Sequence, residues 1–382
     1  MASRRTQLAQ RRKACGFSQE GFATAMEVDR TTAQRWESGT VDPHPYQRPK
    51  MAGLLQIDLE ELDILLRPED PPLPVMNGDR GEGLAFTIRQ TTERLVALDN
   101  EVHGLPIADM AARAFKRVHR RLGSGDYDQK SEHDIQAAAA ELAEVTGWAL
   151  FNEGKFRPSR RFGQEALFLA KLAGDRSVEL ITLQNMGMLA GWSGRAREEL
   201  AIARSVLDKG KLSPRVEAMF RAREGQGLAG SGRFSEASRS FDHARSLLLD
   251  SAPSDEPSWV WWVSSREIDR QQGRVYHEAG DWNAAIPILE RAMEHQEGSY
   301  VGYQNVAAVR LLDSLLRVRS WRSAEIEAEK LMPAVSEMSS VVTLNILERV
   351  ADQGKRLTDA PSSLRDALDC IQATAEEDPY DI

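Results

Sequence analysis

Only two cysteines, Cys15 and Cys370, occur in 382 residues, and they stand at opposite ends of the chain. They form no metal-ligand or redox spacing, which excludes a disulfide-stapled framework and fits a reducing cytosol. No uninterrupted apolar stretch approaches the roughly 20 residues needed to cross a bilayer. The opening Met1-Ala2-Ser3-Arg4-Arg5-Thr6-Gln7 has no apolar run behind its positive charges, so no signal peptide is expected. Seven histidines scattered from His44 to His295 form no ligand cluster. A phosphate-cradling glycine loop ending in Lys-Ser/Thr, a His-Glu-x-x-His and a Gly-x-Ser-x-Gly elbow are all missing. These absences speak against an enzyme, a metal site or a bound cofactor. The expectation is a soluble, cytoplasmic protein with no membrane contact.

The composition is that of a globular chain, 41% hydrophobic and 28% charged, and long enough for two or more domains. A net charge of −9 would ordinarily argue against nucleic acid, but it is unevenly placed. Residues 1–50 hold nine Lys/Arg against five acids, a surplus of four positive charges, so residues 51–382 carry −13. A small basic head on a large acidic body can bind DNA locally while the body repels non-specific contact.

Residues 17–39 read as two short helices joined by a tight turn. Ser18 is a good N-cap, with Gln19 and Glu20 opening the first helix; Phe22, Ala23 and Met26 give it an apolar side. Asp29 caps the second, whose inward residues are Ala33 and Trp36 at i and i+3, and Gly39 stops it. Arg30, Thr31, Thr32, Gln34 and Arg35 are left outside. A donor-rich, acid-free face on a short helix suits a DNA major groove. Before this pair, residues 4–14 form a basic helix with Leu8 and Arg12 inward, placing Arg12 to pair with Glu37; the alternative is two solvated surface charges. After a proline-rich turn at residues 41–46, two more helices follow around Gln47–Leu55 and Asp58–Leu66. Five helices in about 65 residues make a compact all-α domain.

The order L-x-x-R-R-x-x-x-G-x-S-Q-E-x-x-A, then V-D-R-T-T-x-x-R-W-E-S-G-T and a proline, resembles the Xre/Cro-type helix-turn-helix domain of phage repressors and many bacterial regulators. Arg35-Trp36-Glu37 followed by Pro-x-Pro-Tyr-Gln-Arg-Pro is similar to the version found in actinobacterial regulators. The resemblance implies base contacts from Arg30, Thr31, Gln34 and Arg35, phosphate contacts from Gln19 and Ser38, and Ser18 and Thr32 beside them. Glu27 departs from the pattern, standing at a turn position usually held by glycine; a left-handed conformation there would cost about 1 kcal/mol.

Residues 68–83 hold four prolines and then three glycines among acids, a linker between a helix-turn-helix domain at 1–67 and a helical body at 84–375; residues 376–382 are an acidic tail. In the body, turns recur at Gly154, Gly194, Gly232 and Gly280, each preceded seven residues earlier by another glycine, Gly147, Gly187, Gly225 and Gly273. Ala237, Phe241 and Ala244 follow the third turn, and Ala285, Leu289 and Ala292 the fourth. A degraded fifth unit has Trp321 and Ala324. This resembles the tetratricopeptide repeat, although spacings of 40, 38 and 48 residues exceed its usual length. The expected fold is all-α, a five-helix head followed by a superhelix of helical hairpins. Trp259, Trp261 and Trp262 open a helix after the longest gap, expected to pack in the core with Trp261 on the opposite face from its neighbours; the alternative is an aromatic ligand wall or an oligomer contact.

A stack of hairpins exposes a concave groove lined by the first helix of each pair. Its candidate residues are Asn152, Gln184, Arg270, Arg274, His277 and Arg317. Arg270, Arg274 and His277, at i, i+4 and i+7, form one face able to hold an anionic ligand or a peptide carboxylate; the alternative is a surface salt-bridged by Glu267 and Glu278. Head and body together resemble regulators of Gram-positive bacteria, including peptide-sensing quorum regulators. That resemblance implies a homodimer on a palindromic double-stranded DNA operator, its body sensing a peptide, small molecule or protein partner. The alternative is an interaction adaptor with a non-regulatory or degenerate head.

Overall fold

The computed structural model describes residues 6–26, 28, 30–37, 43, 47–57, 59–66, 82–101, 107–249, 256–293, 301–336, 338 and 340–376. Among them every regular element is helical and no strand occurs. The chain divides into two units, Met1–Gly78 and Asp79–Ile382.

The first unit holds α1 (Thr6–Ala14), α2 (Gln19–Met26), α3 (Arg30–Glu37), α4 (Arg48–Leu55) and α5 (Leu59–Leu66). Helices this short are marginal on their own, so their stability comes from one shared core. Leu8 from α1, Phe22, Ala23 and Met26 from α2, and Ala33 and Trp36 from α3 close on Met51, Leu55 and Leu62. Ser18 starts α2 by accepting the Gly21 N–H at 2.9 Å. Arg11 spans the unit to donate to the carbonyls of Leu55 and Gln56, at 2.9 and 2.7 Å, where α4 ends. The expected caps at Asp29 and Gly39 lie outside the described residues, as does Glu27.

The second unit opens with α6 (Glu82–Glu101) and α7 (Ile107–Ser124), which pack on α8. Hairpins then follow in order: α8 (Glu132–Asn152) with α9 (Phe156–Ala173), α10 (Arg176–Trp192) with α11 (Ala196–Leu207), and α12 (Pro214–Ala229) with α13 (Phe234–Leu249). The chain continues with α14 (Ser265–Glu278) and α15 (Trp282–Met293), α16 (Val301–Arg317) and α17 (Trp321–Val335), and finally α18 (Val341–Lys355) and α19 (Ser362–Glu376). Within this unit each first helix from α8 to α16 also touches the first helix of the next pair, and α18 touches α8. The body is thus a row of helical hairpins.

One turn joins the two helices of each of five hairpins. The N–H of Lys155, Arg195, Arg233, Asp281 and Ser320 each reaches back five residues, to the carbonyls of Leu150, Ala190, Leu228, Tyr276 and Leu315, at 2.8 to 3.0 Å. The residue before each donor is left-handed, as this closure requires. It is Gly154, Gly194, Gly232 and Gly280 in the first four and Arg319, at φ 60°, in the fifth. The degraded unit therefore keeps the turn without its glycine. Two of the upstream glycines serve close packing instead: a Cβ on Gly225 would lie 2.8 Å from Phe241, and one on Gly273 would lie 2.6 Å from Leu289. Gly354 likewise receives Leu368, at 2.5 Å, in a sixth hairpin that the turn pattern did not reveal. The tryptophan segment is a short 3-10 turn, Ser258–Trp262, rather than a helix start. Trp259 and Trp262 pack inward and Trp261 is 55% exposed, as expected.

Candidate nucleic-acid interface

Helix α3 has two sharply different faces. At about 100° per residue, Arg30, Thr31, Gln34 and Arg35 fall within one arc, and Ala33 and Trp36 lie opposite it. The inner pair is 1% exposed at each position, while Arg30, Thr31, Gln34 and Arg35 are exposed and Thr32 is half-buried at the edge. Ser18 and Gln19 stand at the start of α2, and Ser38 lies outside the described residues.

The only acid of α3, Glu37, is turned away from that face and tied down. Arg12 Nε donates to its Oε1 at 2.5 Å, and Gln19 Nε2 donates to its Oε2 at 2.9 Å. Arg12 also donates from Nη1 to the Phe17 carbonyl at 2.5 Å. One carboxylate thereby fixes α1 and the start of α2 against α3, with Arg12 only 5% exposed. The Arg12–Glu37 pair expected from the sequence is present. Gln19 has one amide N–H committed to Glu37, so any phosphate contact falls to its other N–H or to the backbone at the start of α2. The face of α3 carries cations and neutral donors with no carboxylate among them, which is the chemistry for phosphate and base edges.

In the body, the candidate groove residues separate into two groups. Asn152 sits half-buried at the end of α8, and Gln184 is buried on α10 with its amide oxygen unpaired by any described residue. Among the described contacts of the body, neither bonds to the others. Arg270, Arg274, His277 and Arg317 do come together, but largely with acids of their own. Arg270 pairs with Glu267, and Arg274 Nε donates to Glu278 Oε1 at 2.7 Å. His277 Nε2 lies 2.8 Å from Asp313 Oδ2, and Arg317 Nε donates to the other Asp313 oxygen at 3.2 Å.

Sequence reasoning missed the centre of this network. Trp192 extends from the end of α10 beneath two guanidiniums, Arg274 at 4.5 Å and Arg310 at 5.0 Å from its ring centre. Arg310 is 5% exposed, with its nearest carboxylate among the described residues, Glu278, at 3.8 Å. Burial, then the charge of Arg274, pushes Arg310 down to about 9. Burial brings Arg223 down to about 10 although Glu199 lies 3.5 Å away. Burial in turn pushes the Glu199 carboxyl up to about 7 against the pull of Arg223. Glu199 occupies the register position that Ala237 and Ala285 hold in later hairpins. Its carboxylate fits because Gly191 opposite has no Cβ; one built there would lie 2.2 Å from Glu199 Oε2. The glutamate in a small-residue slot, facing a glycine, is the signal that would have located this cluster.

A family model described as helix-turn-helix (HTH_3) matches residues 8–62, which are α1 to the middle of α5. The comparison with curated proteins gives no match. Among the described residues no helix is long and apolar enough to cross a membrane.

Proposed function

We propose that the protein is a sequence-specific DNA-binding transcriptional regulator whose first unit reads the major groove with α3. The observation that carries this reading is the two-faced α3 within a helix-turn-helix match: buried Ala33 and Trp36, an exposed acid-free face, and Glu37 held back by Arg12 and Gln19. In this reading Arg30, Thr31, Gln34 and Arg35 meet base edges. Ser18, Gln19, Thr32 and Ser38 position the helix on phosphates. The body is a tetratricopeptide-like array that dimerises the chain and senses a peptide, small molecule or protein partner. Support for sensing is the buried surplus of guanidiniums around Trp192, where the charge of Glu199 is itself disfavoured. Dimer symmetry would set two half-sites about one helical turn apart.

The test is Arg35→Ala assayed on a bound operator and on single-base variants of it. Loss of about 1–3 kcal/mol, with relaxed specificity at one base position, is expected. Arg35 lies on the exposed face of α3, so the variant should still melt cooperatively as a folded unit. Unchanged affinity on every variant would remove Arg35 from the interface.

A further inference from the structure

Away from the hairpin interior, α7 and α9 flank an open cleft of about 410 Å³. Its floor is aromatic. Phe115 of α7 is 5% exposed and meets Phe162 of α9 edge-on, ring centres 5.4 Å apart. Its rim is cationic, with Lys116 and Arg120 on one side and Arg161 on the other, and Glu165 as the single acid.

These cations lack counter-ions and converge on one apolar floor. Elsewhere in the body most arginines are paired, as Arg160 is with Glu198 at 2.6 Å and Arg121 with Asp126 at 3.6 Å, although Arg113 and Arg117 of α7 and Arg157 of α9 make no ion pair among the described residues. Among the described residues, Lys116, Arg120 and Arg161 make no ion pair, and Glu165 does not pair with Arg161 four residues before it. Arg120 Nε donates only to the Lys116 carbonyl, at 3.3 Å. In a chain of net charge −9, three uncompensated cations around one apolar floor form a local field of the opposite sign.

We propose that this cleft binds a small amphiphilic anion, an organic phosphate or carboxylate whose apolar body lies on Phe115 and Phe162 while its charged group meets Lys116, Arg120 and Arg161. The volume lies within the range of small-molecule sites, and the combination of an apolar floor with a few convergent polar groups is how such sites are built. A bare anion would leave the aromatic floor unused. A nucleic-acid backbone would supply phosphate and no apolar group to fill it. The inference does not depend on how α3 is used.

The experiment is calorimetric titration of the full chain with octyl phosphate below its micelle concentration, and separately with inorganic phosphate and with octanol. Octyl phosphate is expected to bind once per chain, at least about tenfold more tightly than either half alone. The Lys116→Gln/Arg161→Gln double variant should weaken it by about tenfold or more, as loss of charge-assisted hydrogen bonds does. Both side chains are exposed, so the melting temperature should be retained. Inorganic phosphate binding equally well would reduce the cleft to a plain anion patch, and octanol binding equally well would reduce it to an apolar one. Binding that ignores the double variant would place the site elsewhere. Displacement of octyl phosphate by a DNA duplex of unrelated sequence would make the cleft a nucleic-acid surface. Each of these results overturns the proposal.

Discussion

Glu37→Ala is expected to destabilise the first unit by about 3–5 kcal/mol, the range for removing one partner of a buried ion pair. Alanine is the best helix former, so α3 loses nothing in propensity, and the effect reports the lost carboxylate. What remains is Arg12, 5% exposed, with only the Phe17 carbonyl among the described residues to receive its donors, and Gln19 released from α3. A small domain has only a few such units of free energy in total, so most of its stability would go. Amide hydrogen exchange reads this directly: protection in α1, α2 and α3 should fall by about 100-fold or more while protection in the hairpin body stays constant. Arg12→Leu/Glu37→Leu should recover much of the loss, because apolar pairs of similar size replace buried ion pairs at little cost. Unchanged protection in Glu37→Ala would show that the three helices are held by the apolar core alone.

The second large effect is expected from Gly227→Ala in α12. A Cβ there would stand 2.7 Å from the backbone nitrogen of Leu200 and 2.8 Å from its Cα. The obstacle is the main chain of α11, which cannot rotate away as a side chain would, so α11 and α12 must separate. Overpacking of this kind costs about 3 kcal/mol. Gly123→Ala in α7 is the control, since a Cβ there meets nothing within 4 Å. It should gain about 0.5–1 kcal/mol from helix propensity and a less flexible unfolded chain. Thermal unfolding of the two variants beside the parent should move in opposite directions. A neutral Gly227→Ala would mean that the two helices do not approach as closely as described.

The contrast between these sites also explains what could be read from the chain beforehand. Ser18 as a cap, Ala33 and Trp36 as an inward pair and Leu8 as a core residue are local patterns, set by neighbours within a turn or two. The Arg12–Glu37 pair was legible because the helix-turn-helix register fixes which helix faces which. The hairpins were legible through their turn glycines, since a left-handed residue closes each turn. That signal fades where Arg319 adopts the same conformation, and it does not extend to the last hairpin, where Gly354 marks packing alone. The chemistry around α14 was not legible, because Arg274 and His277 meet Trp192 and Asp313 on other helices and Arg310 shares the Trp192 ring, and only the stacking of hairpins brings these near. Burial then decided the charge states: Glu199 and Arg310 look like ordinary surface residues in the sequence, and both are buried between helices.

The central claim is that α3 reads DNA sequence, and selection from a random duplex pool tests it most directly. The full chain is incubated with the pool, the bound fraction is recovered and amplified, and the enriched sequences are determined over several rounds. Enrichment of one palindromic motif, with half-sites about one helical turn apart, is the predicted result. Retention of DNA without enrichment, or no retention at all, would contradict it.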